Sequence, residues 1–421
     1  MSKKKIKLLW YGDTPTKNTG FGVVSKNILK RLQATGKYEI DILGINYMGE
    51  PHSLPYRIFP AGINPQQDIY GRQKLLDMLR SKESDYDVLF TLQDTFVMAG
   101  SGFGEGIKKI RDGAIITSPE GKKILNKGKG FKWVYYFPID ATPDKEWIEK
   151  SVKFADVAIP YTEYSKRKAS EIVDRKYDVV YHGYDEKDFH IISEEEKQKF
   201  RDENFKGYDL KDKFFIINVN RNQERKDLKS SLVAFKILQG IMPNAILYMH
   251  CDMVGDRGGN LLKVAKQLGI DSNLIYPNPA AYAAGFEFPV EYMNALYNIA
   301  DINLSTTLGE GFGLSMVEAM ACKTINVFPK NTAITEILQD ERGILVECGN
   351  KPNHMVMNGP LDNNLLRPTV DIEDLFTKIL WVYRNPEEVA KMIETAYKFA
   401  EENLKWDDLV KKFDQLIRET Q

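Results

Sequence analysis

Ser305-Thr306-Thr307-Leu308-Gly309-Glu310-Gly311-Phe312-Gly313-Leu314-Ser315-Met316-Val317-Glu318-Ala319-Met320 places two carboxylates, Glu310 and Glu318, across a glycine-rich turn that opens a helix. Upstream, Ala300-Asp301-Ile302-Asn303-Leu304 reads as a short buried strand. The order strand, glycine turn, helix leaves free backbone N–H groups at a helix start, where an anion binds readily. From Gly313 onward Leu314, Val317 and Met320 recur at helical spacing and face a core, and Glu318 lies about two turns beyond Glu310. Carboxylates flanking an anion-binding helix start suit a ligand with hydroxyls at both ends and phosphates between them, as in a nucleotide sugar.

On these residues the chain resembles the retaining GT-B glycosyltransferases of family 4, the glycosyl transferases group 1. Their hallmark is a Glu, seven residues and a second Glu, with an E-G-F-G start and an E-A-M-A end. Both ends stand here, as Glu310-Gly311-Phe312-Gly313 and Glu318-Ala319-Met320-Ala321. The resemblance implies that Glu310 lies against the hydroxyls of the donor sugar and Glu318 takes the ribose hydroxyls. The amides of Gly311, Phe312, Gly313 and Leu314 would hold the sugar and diphosphate. It further implies an α/β fold of GT-B architecture: two Rossmann-like domains with parallel sheets and a C-terminal helix returning to the first domain.

A second element matches independently. Residues 214–220 are β-branched and aromatic, hence a strand, and lead into Arg221-Asn222-Gln223-Glu224-Arg225-Lys226-Asp227 before a helix carrying Leu228, Leu232, Phe235 and Leu238. The family has G-R-x-x-x-x-K-G here. Arg221 and Lys226 keep the spacing, while Asn220 and Asp227 replace the flanking glycines. The resemblance gives Arg221 and Lys226 the donor diphosphate, whose leaving group gains negative charge that fixed cations stabilise most in the transition state. Arg225 reads as an ordinary loop charge.

At the amino terminus a strand over 6–11 precedes Gly12-Asp13-Thr14-Pro15 and Thr19-Gly20-Phe21-Gly22, which runs into an amphipathic helix. Glycine lets backbone approach a ligand closely. By the resemblance, Gly20 and Gly22 lie over the donor diphosphate and acceptor. Many family members carry a histidine after the strand matching 132–137, but this chain continues Pro138-Ile139-Asp140-Ala141-Thr142-Pro143. Asp140 is the ionisable group at that place. Two readings stand: it takes a proton from the acceptor hydroxyl or bonds the sugar, with help from Gln93 and Asp94, or it makes an Asx-type turn.

With 421 residues, 28% of them charged, the chain is long enough for two α/β cores. Strand-like runs end with Val157-Ala158-Ile159-Pro160 and Val179-Val180-Tyr181, and a new series begins near 214. The expected domains are 1–190 on the acceptor side, a connection over 191–212, a donor-binding domain over 213–395, and a helix over 396–421 packing on the first domain. His182 in His182-Gly183-Tyr184-Asp185 reads as structural. Residues 349–370 read as a loop insertion, and 280–286 as either a flank to the nucleobase or a plain loop. Cys251, Cys322 and Cys348 are not spaced as metal ligands. Neither an apolar run of membrane-spanning length nor a leader is evident, so a cytoplasmic, at most membrane-peripheral protein is expected.

The expected reaction moves a sugar from a UDP- or GDP-hexose type donor to an acceptor hydroxyl with retention. No cofactor or metal is expected, because Arg221, Lys226 and helix-start amides replace Mg²⁺. The acceptor is open among a glycan, a lipid-linked or phosphorylated sugar, and modified DNA. A net charge of −1 provides no overall drive toward nucleic acid or anionic lipid, although 105–132 is locally lysine-rich. The other readings are a GT-B sugar-nucleotide epimerase and a catalytically idle GT-B binding subunit.

Overall fold

The computed structural model describes residues 4–62, 68–117, 123–208, 210, 212–280 and 287–419. The chain forms two compact units, Met1–His182 with Trp406–Gln421, and Gly183–Lys405.

The first unit is built on a six-stranded sheet of order β3-β2-β1-β4-β7-β8. Its strands are β1 (Ile6–Asp13), β2 (Tyr38–Ile45), β3 (Arg57–Pro60), β4 (Val88–Leu92), β7 (Lys132–Phe137) and β8 (Val157–Pro160), and β5 (Gly113–Thr117) pairs separately with β6 (Lys123–Lys127). Every pairing in the six-stranded sheet is parallel. Such strands are buried on both faces, which is why they read as nearly continuous apolar runs. The C-terminal helix Trp406–Glu419 belongs to this unit. Its Phe413 meets the rings of Phe90 and Tyr136, and its Asp414 accepts from the Tyr38 hydroxyl at 2.7 Å and the Lys37 ammonium at 2.7 Å. His182 is buried among Tyr136, Tyr161 and Trp406, with Nδ1 2.7 Å from the Tyr136 hydroxyl. Burial pushes its pKa down to about 3, so this histidine is a neutral packing residue.

The second unit repeats the plan with order β11-β10-β9-β12-β13-β14. The strands are β9 (Phe214–Val219), β10 (Ala245–His250), β11 (Leu274–Ile275), β12 (Ile302–Leu304), β13 (Ile325–Pro329) and β14 (Ile344–Val346). All pair in parallel. Two doubly wound parallel sheets and the returning C-terminal helix are the fold expected from the sequence.

Several boundaries differ from expectation. Val179-Val180-Tyr181 is not a strand: the Asp178 and Val180 amides donate to the Ala158 and Pro160 carbonyls of β8 at 3.1 and 3.4 Å, but the Val180 carbonyl accepts from the Tyr136 hydroxyl at 2.9 Å. The stretch 191–212 is not a free connection. It holds the helix Glu194–Asn204, started by a Ser193/Glu196 capping box. Phe200 and Phe205 pack on Phe215, Tyr248 and Tyr292, so this helix belongs to the second unit's core. At the other end the helix Pro386–Asn403 also stays with the second unit, and the return to the first begins only at Trp406. Within 349–370, β15 (Met355–Met357) pairs antiparallel with β16 (Leu366–Pro368), and buried Arg367 is held by Asp362 through bonds of 2.6 and 2.7 Å. In the lysine-rich 105–132 segment, Arg111 pairs with Asp112 and Asp156 and Lys108 with Asp112, which offsets part of the basic character; 118–122 lie outside the described residues. The proposed base-flanking segment 280–286 lies outside them too, apart from Ala280. Among the described residues no helix is long and apolar enough to cross a membrane.

Candidate active site

In the second sheet β9 and β12 are parallel neighbours, with Ile216 opposite Ile302, so the loops after both strands emerge at one sheet edge. That carboxyl edge is where doubly wound sheets bind ligands. The loop after β9 carries Arg221 to Asp227, and the loop after β12 carries the glutamate motif. Buried hydroxyls and amides stitch the two together. Asn218 Nδ2 donates to Ser231 Oγ at 2.9 Å, Ser231 meets Thr306 Oγ1 at 2.8 Å, and Thr306 donates to the Asp227 carbonyl at 2.8 Å. The Leu308 amide donates to the Arg225 carbonyl at 2.8 Å. Asp227 sits at φ +42°, a left-handed conformation that explains why the related motif has glycine at this place.

This stitching brings Lys226 and Glu310 into direct ion-pair contact, with side-chain exposures of 12% and 10%. Arg225 joins them. Its Nη1 bonds the Gly309 carbonyl and lies 3.5 Å from Glu310 Oε2. The Glu310 amide donates to Thr332 Oγ1 at 2.9 Å, fixing the turn from the other side. Burial alone would raise the Glu310 pKa, but Lys226, Arg225 and a hydrogen bond from Thr307 outweigh it and hold the carboxyl below its ordinary range. Arg225 is therefore part of the buried charge cluster and not the ordinary loop charge its sequence context suggested.

Beyond Glu310 the turn reaches Gly313 at φ +98°, a conformation that favours glycine, and the helix Leu314–Ala321 begins. Its cap residue offers no side-chain acceptor and its first turn has no acidic residue; the Met316 amide bonds the Gly313 carbonyl at 3.1 Å, and the positive end of the helix is left without a carboxylate of its own. Gly311 is half-buried and Phe312 is buried. Glu318, on the same helix, accepts from the Tyr297 hydroxyl at 2.8 Å. Burial pushes the Glu318 pKa up to about 7, only partly offset by that bond.

Arg221 pairs with a different carboxylate. Its guanidinium forks onto Asp256 at 3.0 and 3.2 Å and its side chain is 62% exposed. Asp256 is presented by a loop that Asn222 holds through the carbonyls of Asp252 and Gly259, each at 2.8 Å.

In the first unit, Thr19 caps the helix Gly20–Ala34 by accepting from the Gly22 amide at 3.0 Å and donates to Asp13 Oδ2 at 2.5 Å. A Cβ on Gly22 would lie 2.2 Å from the Lys17 carbonyl, whereas one on Gly20 would meet nothing within 4 Å. Gly22 is thus required by the turn itself, and Gly20 leaves open space. Asp13 ends β1, while Asp94 and Asp140 follow β4 and β7, so all three share the carboxyl edge of this sheet, with Asp140 half-buried. No group of three or more His, Cys, Asp or Glu side chains among the described residues is arranged to hold a metal ion.

Arg225, Thr332, Tyr297 and Asp256 were missed by sequence reasoning. Each acts across a sheet neighbour or a packed helix, and no local spacing marks such a partner. For Arg225 the available signal was its place beside Lys226 in the motif loop.

Residues 200–399 match the family model described as Glycosyl transferases group 1. A putative glycosyltransferase, EpsD of Bacillus subtilis, is 22% identical over 247 residues, covering 54% of this chain and 58% of that protein, less than two thirds of its length. Among solved structures, sucrose-phosphate synthase from Thermosynechococcus elongatus superposes with a TM-score of 0.74 at 14% identity, covering 99% of each chain. The Anabaena protein HepE, in complex with UDP-glucose, gives a TM-score of 0.69 at 14% identity, with coverage of 98% of this chain and 100% of that one. These likenesses identify the architecture as GT-B and the motif-bearing unit as resembling group 1 glycosyl transferases.

Proposed function

We propose that this chain, whose second unit matches the glycosyl transferases group 1 model over residues 200–399, transfers a sugar from a nucleotide-diphosphate sugar to an acceptor hydroxyl. The observation that carries the reading is the buried Lys226–Glu310 pair beside the uncapped helix start at Gly313, with Glu318 further along the same helix. Glu318 takes the ribose hydroxyls. The amides of Gly311, Phe312, Gly313 and Leu314 seat the diphosphate together with Lys226 and Arg221. Glu310 orients the transferred sugar. Support for a UDP-linked donor comes from HepE, whose structure holds UDP-glucose.

The proposed course is attack by the acceptor hydroxyl on the face from which the nucleoside diphosphate departs, giving retention. Charge on the leaving diphosphate is met by Lys226, Arg221 and helix-start amides, which stabilise it without a metal. Asp140 receives the acceptor proton in this reading, its alternative being an Asx-type turn, and the open space beside Gly20 is compatible with a substrate at the first sheet's edge. The acceptor class stays a glycan, a lipid-linked or phosphorylated sugar, or modified DNA.

Incubation of the full chain with UDP-glucose and GDP-mannose, following nucleotide release and donor binding by calorimetry, tests the reading. Binding of one donor with slow release of its nucleoside diphosphate is expected, unchanged by EDTA, and Glu318→Ala should abolish the binding. Failure of every nucleotide sugar to bind would refute the donor reading. Loss of turnover in EDTA with recovery in Mg²⁺ would refute metal independence, and binding without any release would indicate a binding subunit.

A further inference from the structure

Glu310 is served by two cations that differ in freedom. Lys226 reaches Oε1 through a flexible four-carbon stem, and its ammonium is a point charge able to turn toward a new anion. Arg225 is fixed: one guanidinium nitrogen bonds the Gly309 carbonyl and faces Glu310 Oε2 at 3.5 Å, while the Arg225 carbonyl accepts from the Leu308 amide at 2.8 Å. Arg225 is thus tied at both side chain and backbone to the turn that carries Glu310. Two uncharged groups also meet Glu310, the Thr307 hydroxyl from its own loop and Thr332 Oγ1 on its amide.

A donor diphosphate changes this balance. It brings negative charge to the helix start beside Lys226, and one ammonium cannot fully neutralise both a carboxylate and a diphosphate. A buried carboxylate left without a cation takes up a proton and loses the ability to accept from sugar hydroxyls at both oxygens.

We propose that Arg225 is the positioning residue that holds and orients the Glu310 carboxylate after Lys226 has turned to the donor diphosphate. Arginine suits the task because it stays protonated throughout the working pH range and its planar fork keeps one geometry. Arg225 itself makes no contact with the diphosphate, and so differs in role from Lys226 and Arg221. The proposal rests on the donor reading above for the departure of Lys226, but the restraint on Glu310 is testable without any donor.

Carbon-13 NMR of the full chain labelled at glutamate Cδ, with the Glu310→Gln spectrum subtracted, reports the Glu310 titration directly. Lys226→Gln mimics the departed lysine. In that variant Glu310 should still titrate within about 1 unit of its wild-type position, and Arg225→Gln added to it should move the titration up by at least about 1 further unit. Arg225→Lys in the same background keeps the charge and should restore most of the shift. The proposal is overturned if Lys226→Gln alone raises Glu310 as far as the double variant does. It is also overturned if Arg225→Gln weakens UDP binding as much as Lys226→Gln, since Arg225 would then be a diphosphate ligand. Failure of the wild-type chain to bind UDP would instead count against the donor reading, and the donor-free titration would still decide the role of Arg225.

Discussion

Arg221 and Lys226 stand five positions apart in one loop, keep the spacing of one motif, and meet opposite surroundings. Lys226 is mostly covered and paired with buried Glu310, and its neighbour Arg225 is tied to the glycine turn. Arg221 lies on the rim, 62% exposed and forked onto Asp256. The same charge carries different weight in the two places. In a desolvated site a cation interacts strongly with a developing anion, whereas an exposed pair is screened by water and salt and contributes about 0–1 kcal/mol. Motif spacing therefore identifies the residues but does not rank them.

The widest separation between rim and interior should appear on removing the lysine. Lys226→Ala is expected to lower turnover with saturating donor by about two to three powers of ten, the scale of losing one charge-stabilising group in the site. Steady-state kinetics would break the comparison if Arg221→Ala, expected to cost only about tenfold, proved equally damaging.

A smaller effect should come from Glu318, whose pKa burial lifts to about 7. If Glu318 takes the ribose hydroxyls as proposed, they donate to its carboxylate and the deprotonated form is the one that binds donor. Affinity is expected to rise as pH increases from about 6 to 8 and to fall by up to about tenfold per unit below 7. Calorimetry across that range would show it, and Glu318→Gln should give a weak, flat profile. A wild-type profile that is also flat would mean that the proton on Glu318 is irrelevant to binding.

Asp256 should produce the smallest change. If Arg221 serves the donor diphosphate as proposed, the Asp256 carboxylate competes for it, and Asp256→Asn is expected to tighten UDP binding by about two- to fivefold, within the range of an exposed pair. The gain should disappear in Arg221→Ala/Asp256→Asn. Tightening that persists without Arg221 would show that Asp256 acts through the general field and not through this pair.

The parallel strands, the two-sheet plan and the glutamate turn were all readable in the chain because each depends on local pattern. Apolar runs such as 214–219 and 302–304 announce strands buried on both faces, and Gly313 marks a turn that needs a left-handed φ. The helix Glu194–Asn204 was missed because its exposed polar residues dominate its sequence, while Phe200 and the adjacent Phe205 anchor it in the second core.

What only the tertiary structure decided is how the charges are paired. Sequence alone placed Lys226, Arg225 and Arg221 in one loop and Glu310 in another, 84 residues beyond Lys226. The pairing of β9 with β12 set those loops side by side, and the hydrogen bonds from Thr306 and Leu308 set their register. Burial and charge pairing then followed from position: Glu310 lies inside with two cations, Arg221 faces water with Asp256, and Glu318 sits beside Tyr297 with its proton affinity raised. Local periodicity determines which face of a strand or helix is apolar, but a residue's electrostatic environment depends on groups distant in sequence, and only folding brings those together.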